Sequence, residues 1–264
     1  MTDSRPRPPM LTDTHAHVFW DSFEADREAV LERARAAGVE RMIVVGTDEQ
    51  TSRAAFELCQ GRADLFPTAG IHPHEAAAAD DGMRARVREL CARAECVAVG
   101  ETGLDYFKEF SPRAAQLDSF AWHAELALEL GKPLIVHCRD AHADTLRVLR
   151  ESGAGRGVMH CYSLGAEELP GYLELGFHIS FSGILTYPRT ERLKAAARAV
   201  PEDRLVVETD CPYLAPQDQR GRRNEPAFVR SVVQELARLR GRGFEDIARS
   251  TSRNAAVLFG LPPS

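Results

Sequence analysis

Apolar, β-prone runs alternate with helix-periodic stretches along almost the whole chain, and this rhythm limits the fold more than any bulk property. Strand, helix and strand in succession require a crossover, and repeated crossovers build a parallel sheet covered by helices. The pattern predicts strands over 10–18, 41–46, 65–72, 96–101, 133–137, 157–161, 177–181 and 204–210. Helices are expected over 23–37, 52–60, 80–93, 112–130, 141–152, 166–175 and 189–200, with 226–239 and 244–259 closing the chain. Gly38 and Gly131 stand where two of these helices should stop. Eight such units in about 250 residues match an α/β fold of the (β/α)8 TIM-barrel type. A doubly wound open sheet is the competing architecture, but no G-x-G-x-x-G phosphate loop supports it.

Bulk properties narrow the function. The 264 residues, 44% of them hydrophobic, suit one barrel domain over 11–264 behind a disordered leader rich in Pro and Arg over 1–10. Lys and Arg number 33 against 39 Asp and Glu, a net charge of −6. A chain that coats nucleic acid through many phosphate contacts carries a basic surplus, so any nucleic-acid contact here is local to a site. The six cysteines include no C-x-x-C pair, which argues against thiolate zinc and dithiol chemistry. With no apolar signal core in the first residues and no apolar run near the ~20 residues of a membrane span, a cytoplasmic chain with reduced thiols is expected, without membrane contact and monomeric.

The polar residues at the strand ends carry the chemistry. His15 and His17 are two apart on the first strand, so they face the same way and can grip one cation. A pair of satisfied polar residues on a strand end is the plain alternative. Glu101 closes the fourth strand, where its carboxylate could bridge two metals or cap the next turn. Asp105 and Tyr106, beyond it, are expected to stabilise a loop. His137 and His160 end the fifth and sixth strands, and Asp210 ends the eighth. Glu208 shares the parity of Asp210 and should point inward below it, supporting a ligand or forming a buried ion pair. Arg139 suits an anionic substrate oxygen, although a salt bridge with Asp140 competes; Asp140 should cap the following helix. Cys138, Cys161 and Cys211 each follow a candidate ligand and should face the helices. Any one of these residues is a weak signal. Their coincidence at the C-terminal ends of five strands, where TIM-barrel active sites lie, points to a metal centre formed by His15, His17, Glu101, His137, His160 and Asp210.

The blocks DTHAH (13–17), AGIHPH (69–74), VGETGLDY (99–106), PLIVHCRDA (133–141), GVMHCYS (157–163), ETDCPYL (208–214) and RNEP (223–226) together resemble the TatD family of metal-dependent deoxyribonucleases. The resemblance implies a TIM barrel with a two- or three-metal centre. Carried over by motif, one ion takes His15, His17, Glu101 and Asp210, and the second takes Glu101, His137 and His160. It also implies His72 as a group for the substrate phosphate. Related metallohydrolases often bridge their metals with a carboxylated lysine, but Glu101 occupies the end of the fourth strand here, and neither Lys108 nor Lys132 fits that role.

The leading expectation is phosphodiester hydrolysis, with DNA as substrate, single-stranded or at its ends. Two divalent ions would assist: zinc first, with magnesium, manganese or iron as alternatives. Glu101 and Asp210 are the expected catalytic carboxylates, and Arg139 and His72 the substrate-binding groups. The same centre could polarise a carbonyl, so hydrolysis of a lactone, amide or aminoacyl ester is the second reading. A metal-binding scaffold without catalysis is the third.

Overall fold

The structure is a computed structural model and describes residues 10–262; nine of the ten residues of the expected leader lie outside the described residues. Strands β1 (Leu11–Ala16), β2 (Val39–Val44) and β3 (Leu65–Pro67) form one parallel sheet in that order. Strands β4 (Val99–Asp105), β5 (Leu134–Arg139), β6 (Gly157–Met159), β7 (His178–Phe181) and β8 (Leu205–Val207) form the other. Two seams join them into a ring. At one, Ala16 bridges Cys211 in parallel, and Asp210 N donates to His15 O at 2.9 Å. At the other, Ala69 bridges Val99, and Gly100 N donates to Ala69 O at 2.8 Å. The result is a closed parallel (β/α)8 barrel.

Alternation along the strands sorts the apolar side chains into two layers. Met42 and Val44, Leu134 and Val136, and Leu205 and Val207 pack outward into the strand–helix layer. Ile43, Ile135, Val158 and Val206 lie between them in the barrel interior, where they meet Ala255, Leu258 and Phe259. Those three belong to the last helix, α9 (Phe244–Phe259). Asn254 Nδ2 donates to Leu205 O at 2.8 Å and Ser252 Oγ to Met10 O at 2.8 Å, so α9 lies across the starts of β8 and β1. It plugs the N-terminal end of the barrel and leaves the other end for the site.

The remaining helices are α1 (Arg27–Ala36), α2 (Glu49–Cys59), α3 (Asp81–Ala92), α4 (Arg113–Leu130), α5 (His142–Ser152), α6 (Leu169–Glu174), α7 (Glu191–Ala199) and α8 (Val229–Arg240). No helix among the described residues is long and apolar enough to cross a membrane. Several boundaries differ from the sequence expectation for local reasons. Helix α1 begins at Arg27 rather than at residue 23, because Asp26 leaves helical geometry (φ −142°) and Phe23 ends a separate 3-10 turn. Helix α2 starts early because Asp48 accepts from Thr51 N at 2.7 Å in a capping box. Pro170 confines the start of α6 to its own first turn. Strands β6 and β8 stop short of residues 161 and 210, since Cys161 (φ 44°) and Asp210 (φ 59°) are left-handed and cannot continue a strand.

Two irregularities aim the site. Val99 and Leu104 both pack in the outer layer although an odd spacing separates them, and the β4–β5 register slips between Val99 and Thr102. The slip centres on Gly100, whose φ of 139° and whose place 2.6 Å (from an added Cβ) off Ile135 O admit only glycine. It turns Glu101 inward. Leu11 and Ala16 show the same odd spacing on β1, with a slip between Asp13 and Ala16 that turns His15 inward. Bulges re-aim side chains in this way at the rims of barrels.

Candidate metal centre

At the C-terminal rim, β1 and the residue after it bring His15 and His17 to the axis, β4 brings Glu101, β5 His137, the turn after β6 His160, and the turn after β8 Asp210. The Glu101 carboxylate divides its oxygens between two histidine pairs. Oε2 lies 3.2 Å from His15 Nε2 and 3.9 Å from His17 Nε2. Oε1 lies 3.1 Å from His137 Nδ1 and 3.0 Å from His160 Nε2. Asp210 Oδ1 joins the first pair, 3.8 Å from His15 Nε2 and 3.5 Å from His17 Nε2. All six residues that the sequence singled out as ligands therefore converge. All but the fully buried His15 line a cavity of about 600 Å³ that is also lined by His72, Lys108 and Arg139.

The outer ring nitrogens fix the tautomers. His17 Nδ1 donates to Val45 O at 2.7 Å, His160 Nδ1 to Glu208 Oε1 at 3.2 Å, and His137 Nε2 to Asp105 Oδ2 at 3.2 Å. In the neutral form of these three rings the single proton therefore points outward and the inner nitrogen is a bare lone pair. The inner nitrogens face carboxylate oxygens and one another: His17 Nε2 and His15 Nε2 are 3.2 Å apart, His137 Nδ1 and His160 Nε2 3.4 Å. Acceptors held this close call for a cation or a proton between them. His15 Nδ1 is buried without a hydrogen-bond partner.

His72 has the opposite polarity. Its Nδ1 accepts the backbone N–H of His74 at 3.1 Å, which puts the proton on Nε2, 3.4 Å from Glu101 Oε1. Burial pushes its pKa down to about 4, so the ring is neutral at physiological pH. By distance alone His72 groups with Glu101 and His137 as a possible cation site. Its Nε2–H makes it a donor to an oxyanion instead, since a ligand nitrogen must be bare.

Two participants escaped sequence reasoning. Asp105 lies on β4 itself. Its Oδ1 accepts Phe107 N (3.0 Å) and Lys108 N (2.9 Å), the loop contacts that the sequence suggested. Its Oδ2, however, takes both His137 Nε2 and His74 Nε2, the latter at 3.0 Å, so Asp105 orients a candidate ligand. The available signal was Gly103, a glycine inside a strand, where an added Cβ would strike His137 O. His74 is the second, within the AGIHPH block. Glu208, expected to point inward, is fully buried behind His160, and it also accepts Cys161 N at 2.6 Å.

Other expectations are corrected. Asp140 does not cap α5: the N-cap position is Ala141, with no side-chain cap bond, and Asp140 is left-handed (φ 54°). Arg139 lays its guanidinium on the Phe107 ring, 3.9 Å from the centroid, at the cavity edge. Cys138 meets the helices, with Thr145 Oγ1 donating to its Sγ at 3.4 Å, but it is half-buried and also borders the cavity; Cys211 is buried. Cys161 does not face the helices: its left-handed turn breaks the alternation, and its Sγ sits 3.1 Å from Ser182 Oγ in the cavity wall.

Electrostatics couple the cluster. Burial alone would raise Glu101, but the imidazoles of His160, His72 and His15 outweigh it and hold the carboxyl well below the usual range. His160 is raised well above its ordinary value: burial opposes the charge, and Glu101 and Glu208 overcome it. For His17, Asp210 and Glu101 likewise outweigh burial and raise the ring. His15 moves down, through burial first and the neighbouring His160 second. Where a cation enters such a site, protons leave.

Residues 12–260 match the family model described as TatD related DNase. The chain belongs to the TatD-related DNase family. It is 40% identical over 254 residues to the "uncharacterized metal-dependent hydrolase YabD" of Bacillus subtilis (strain 168), covering 96% of this chain and 100% of that one. It is 38% identical over 261 residues to the "3'-5' ssDNA/RNA exonuclease TatD" of Pantoea ananatis, covering 95% and 100%. Among solved structures, the TatD homologue YJJV of Escherichia coli k12 superposes with a TM-score of 0.91 at 29% identity, covering 96% of this chain and 98% of that one.

Proposed function

We propose that this TatD-family metal-dependent hydrolase cleaves phosphodiester bonds of nucleic acid with two divalent cations. The observation that carries the reading is the divided carboxylate of Glu101, one oxygen toward His15 and His17, the other toward His137 and His160. One cation would be held by His15, His17, Glu101 Oε2 and Asp210, the other by Glu101 Oε1, His137 and His160. The inner nitrogens of His17, His137 and His160 fit such ions, because their outer nitrogens already donate to fixed acceptors. Imidazole-rich ligation favours zinc, manganese or iron over magnesium. The relatives named 3'-5' ssDNA/RNA exonuclease support a nucleic-acid substrate.

When bound, paired cations lower the pKa of a water molecule and offset charge on a phosphodiester. The chain's own groups do the rest. Asp210, whose pKa is lowered because His17 and its neighbours outweigh burial, is ionised and accepts a hydrogen bond from the attacking water, setting its direction. His72 Nε2–H donates to a non-bridging phosphate oxygen. Arg139 holds a second oxygen from the cavity edge.

The test pairs turnover of bis-p-nitrophenyl phosphate and of single-stranded DNA with chelation and metal readdition. Glu101→Ala should abolish both activities, and chelation should remove them reversibly. Undiminished turnover by Glu101→Ala would refute the reading. Rates on lactone and ester panels that far exceed those on phosphodiesters would move the activity to the carbonyl class, and metal binding without any turnover would leave a scaffold.

A further inference from the structure

Most large apolar side chains of this protein are buried, yet two phenylalanines stand out of the β4–α4 loop beside the cavity. Phe107 is 57% exposed and Phe110 67% exposed. Phe107 and Phe110 flank the cavity rather than line it; Tyr213, 48% exposed, lines it, and Leu128 and Val257, also exposed, sit away from it on α4 and α9. The two rings are not loose. Asp105 Oδ1 accepts the backbone N–H of Phe107, and the His74 ring meets the Phe110 ring edge-on at 4.7 Å. Both are tied through Asp105 to His137. Cations surround them: Arg139 Cζ is 3.9 Å from the Phe107 centroid, and Lys108 Nζ is 5.8 Å from each ring. Lys108, Arg139 and His74 all line the cavity.

Exposed aromatic faces interleaved with Lys and Arg match one ligand chemistry, a flexible polyanion with flat apolar faces. We propose that Phe107 and Phe110 form a stacking platform for unpaired nucleobases next to the scissile phosphate that Arg139 holds, with Lys108 on the flanking phosphate. This deepens the phosphodiesterase reading and rests on it. Bases in a duplex already have both faces covered by neighbours, so the platform can engage only strands that are single or frayed. It thereby makes this loop a specificity element for single strands, separate from the groups that hold cations. Stacking of this kind tolerates every base, because each has a π-face.

Binding is the deciding measurement. Fluorescence anisotropy with a labelled short oligothymidylate, in the full chain carrying Glu101→Gln to prevent turnover, reads the platform directly. Adding Phe107→Ala and Phe110→Ala should weaken Kd by at least about 10-fold, as expected for lost base–aromatic stacking. Phe110→Trp should preserve binding. An oligonucleotide made abasic throughout should bind the parent and the double-alanine chain equally and weakly. Equal oligothymidylate affinity in parent and double-alanine chains would overturn the proposal. So would an equal loss on the abasic strand. A dimer that dissociates on double-alanine substitution with no change in Kd would also overturn it and assign the loop to contact between copies. Failure of the phosphodiesterase reading shows elsewhere, as no turnover of bis-p-nitrophenyl phosphate by the unsubstituted chain.

Discussion

Glu208 Oε1 lies 3.2 Å from His160 Nδ1, and this contact turns Nε2 of that ring onto Glu101, 3.0 Å away. Glu208 is fully buried and touches no substrate space, so its effect on chemistry passes through the imidazole. Glu208→Ala should weaken metal affinity by roughly 10- to 100-fold, the usual effect of removing a partner of a ligand histidine. Activity should return at high metal concentration. Metal titration followed by turnover checks this; an unchanged metal affinity would contradict it.

Asp105 positions His137 in the same manner and also holds the loop. Asp105→Ala leaves the N–H groups of Phe107 and Lys108 without their acceptor and frees the rings of His74 and His137. A loss of roughly 1–3 kcal/mol is expected from the unpaired donors, read by urea unfolding. Metal affinity should fall alongside stability. A variant with full stability and full affinity would show that Asp105 is dispensable.

Gly100 is the hinge of the β4 slip. With φ at 139° and Ile135 O 2.6 Å from the place of a side-chain carbon, Gly100→Ala must shift the backbone. Strain of this kind costs on the order of 1–3 kcal/mol before any clash is counted. The expected outcome is a lower denaturation midpoint together with loss of metal, since Glu101 is the next residue. Native stability and metal content in the variant would count against the bulge as the cause of Glu101's inward direction.

Acid should unfold the protein partly through His123. Its Nε2 accepts Ile71 N at 2.9 Å and its Nδ1 donates to Ser119 O at 2.6 Å, so the buried ring has no place for a second proton. Burial pushes its pKa down from 6.5 to about 4. Between these values the unfolded chain binds the proton first. Stability is therefore intact above about pH 6.5, falls as pH drops, and has lost on the order of 3 kcal/mol by about pH 4. His123→Gln should flatten that part of the pH–stability curve in denaturant titrations. A parallel curve would mean that His123 does not titrate in this window.

Chelation should lower stability as well as activity. Ligands that bind only the folded state stabilise it by roughly 4 kcal/mol when present at about 1,000 times Kd. A fall in melting temperature on chelation, reversed by zinc or manganese, is expected. A melting temperature indifferent to chelator would argue against a bound ion.

Much of this was legible from the chain alone because it is local. Strand-prone runs and helix periods repeat along the sequence, and a ligand-type residue at a strand end reaches the rim whatever the rest of the barrel does. That reasoning reached the barrel, the six converging residues His15, His17, Glu101, His137, His160 and Asp210, and Arg139 at the cavity; the family resemblance added His72. It failed where a contact joined distant segments. The slips at Gly100 and after Asp13 depend on the neighbouring strand, so β4 continued past its expected end and carried Asp105 to His137. Cys161 left its expected face because a left-handed turn broke the alternation. The ring tautomers were also invisible, since Val45, Glu208 and Asp105 become partners of His17, His160 and His137 only once the ring closes. Sequence determined which side chains stand at the rim, because strand direction and period are properties of the local backbone. Tertiary structure decided which nitrogen each imidazole offers and which oxygen of Glu101 meets it, because hydrogen-bond partners are set by packing between segments far apart in the chain.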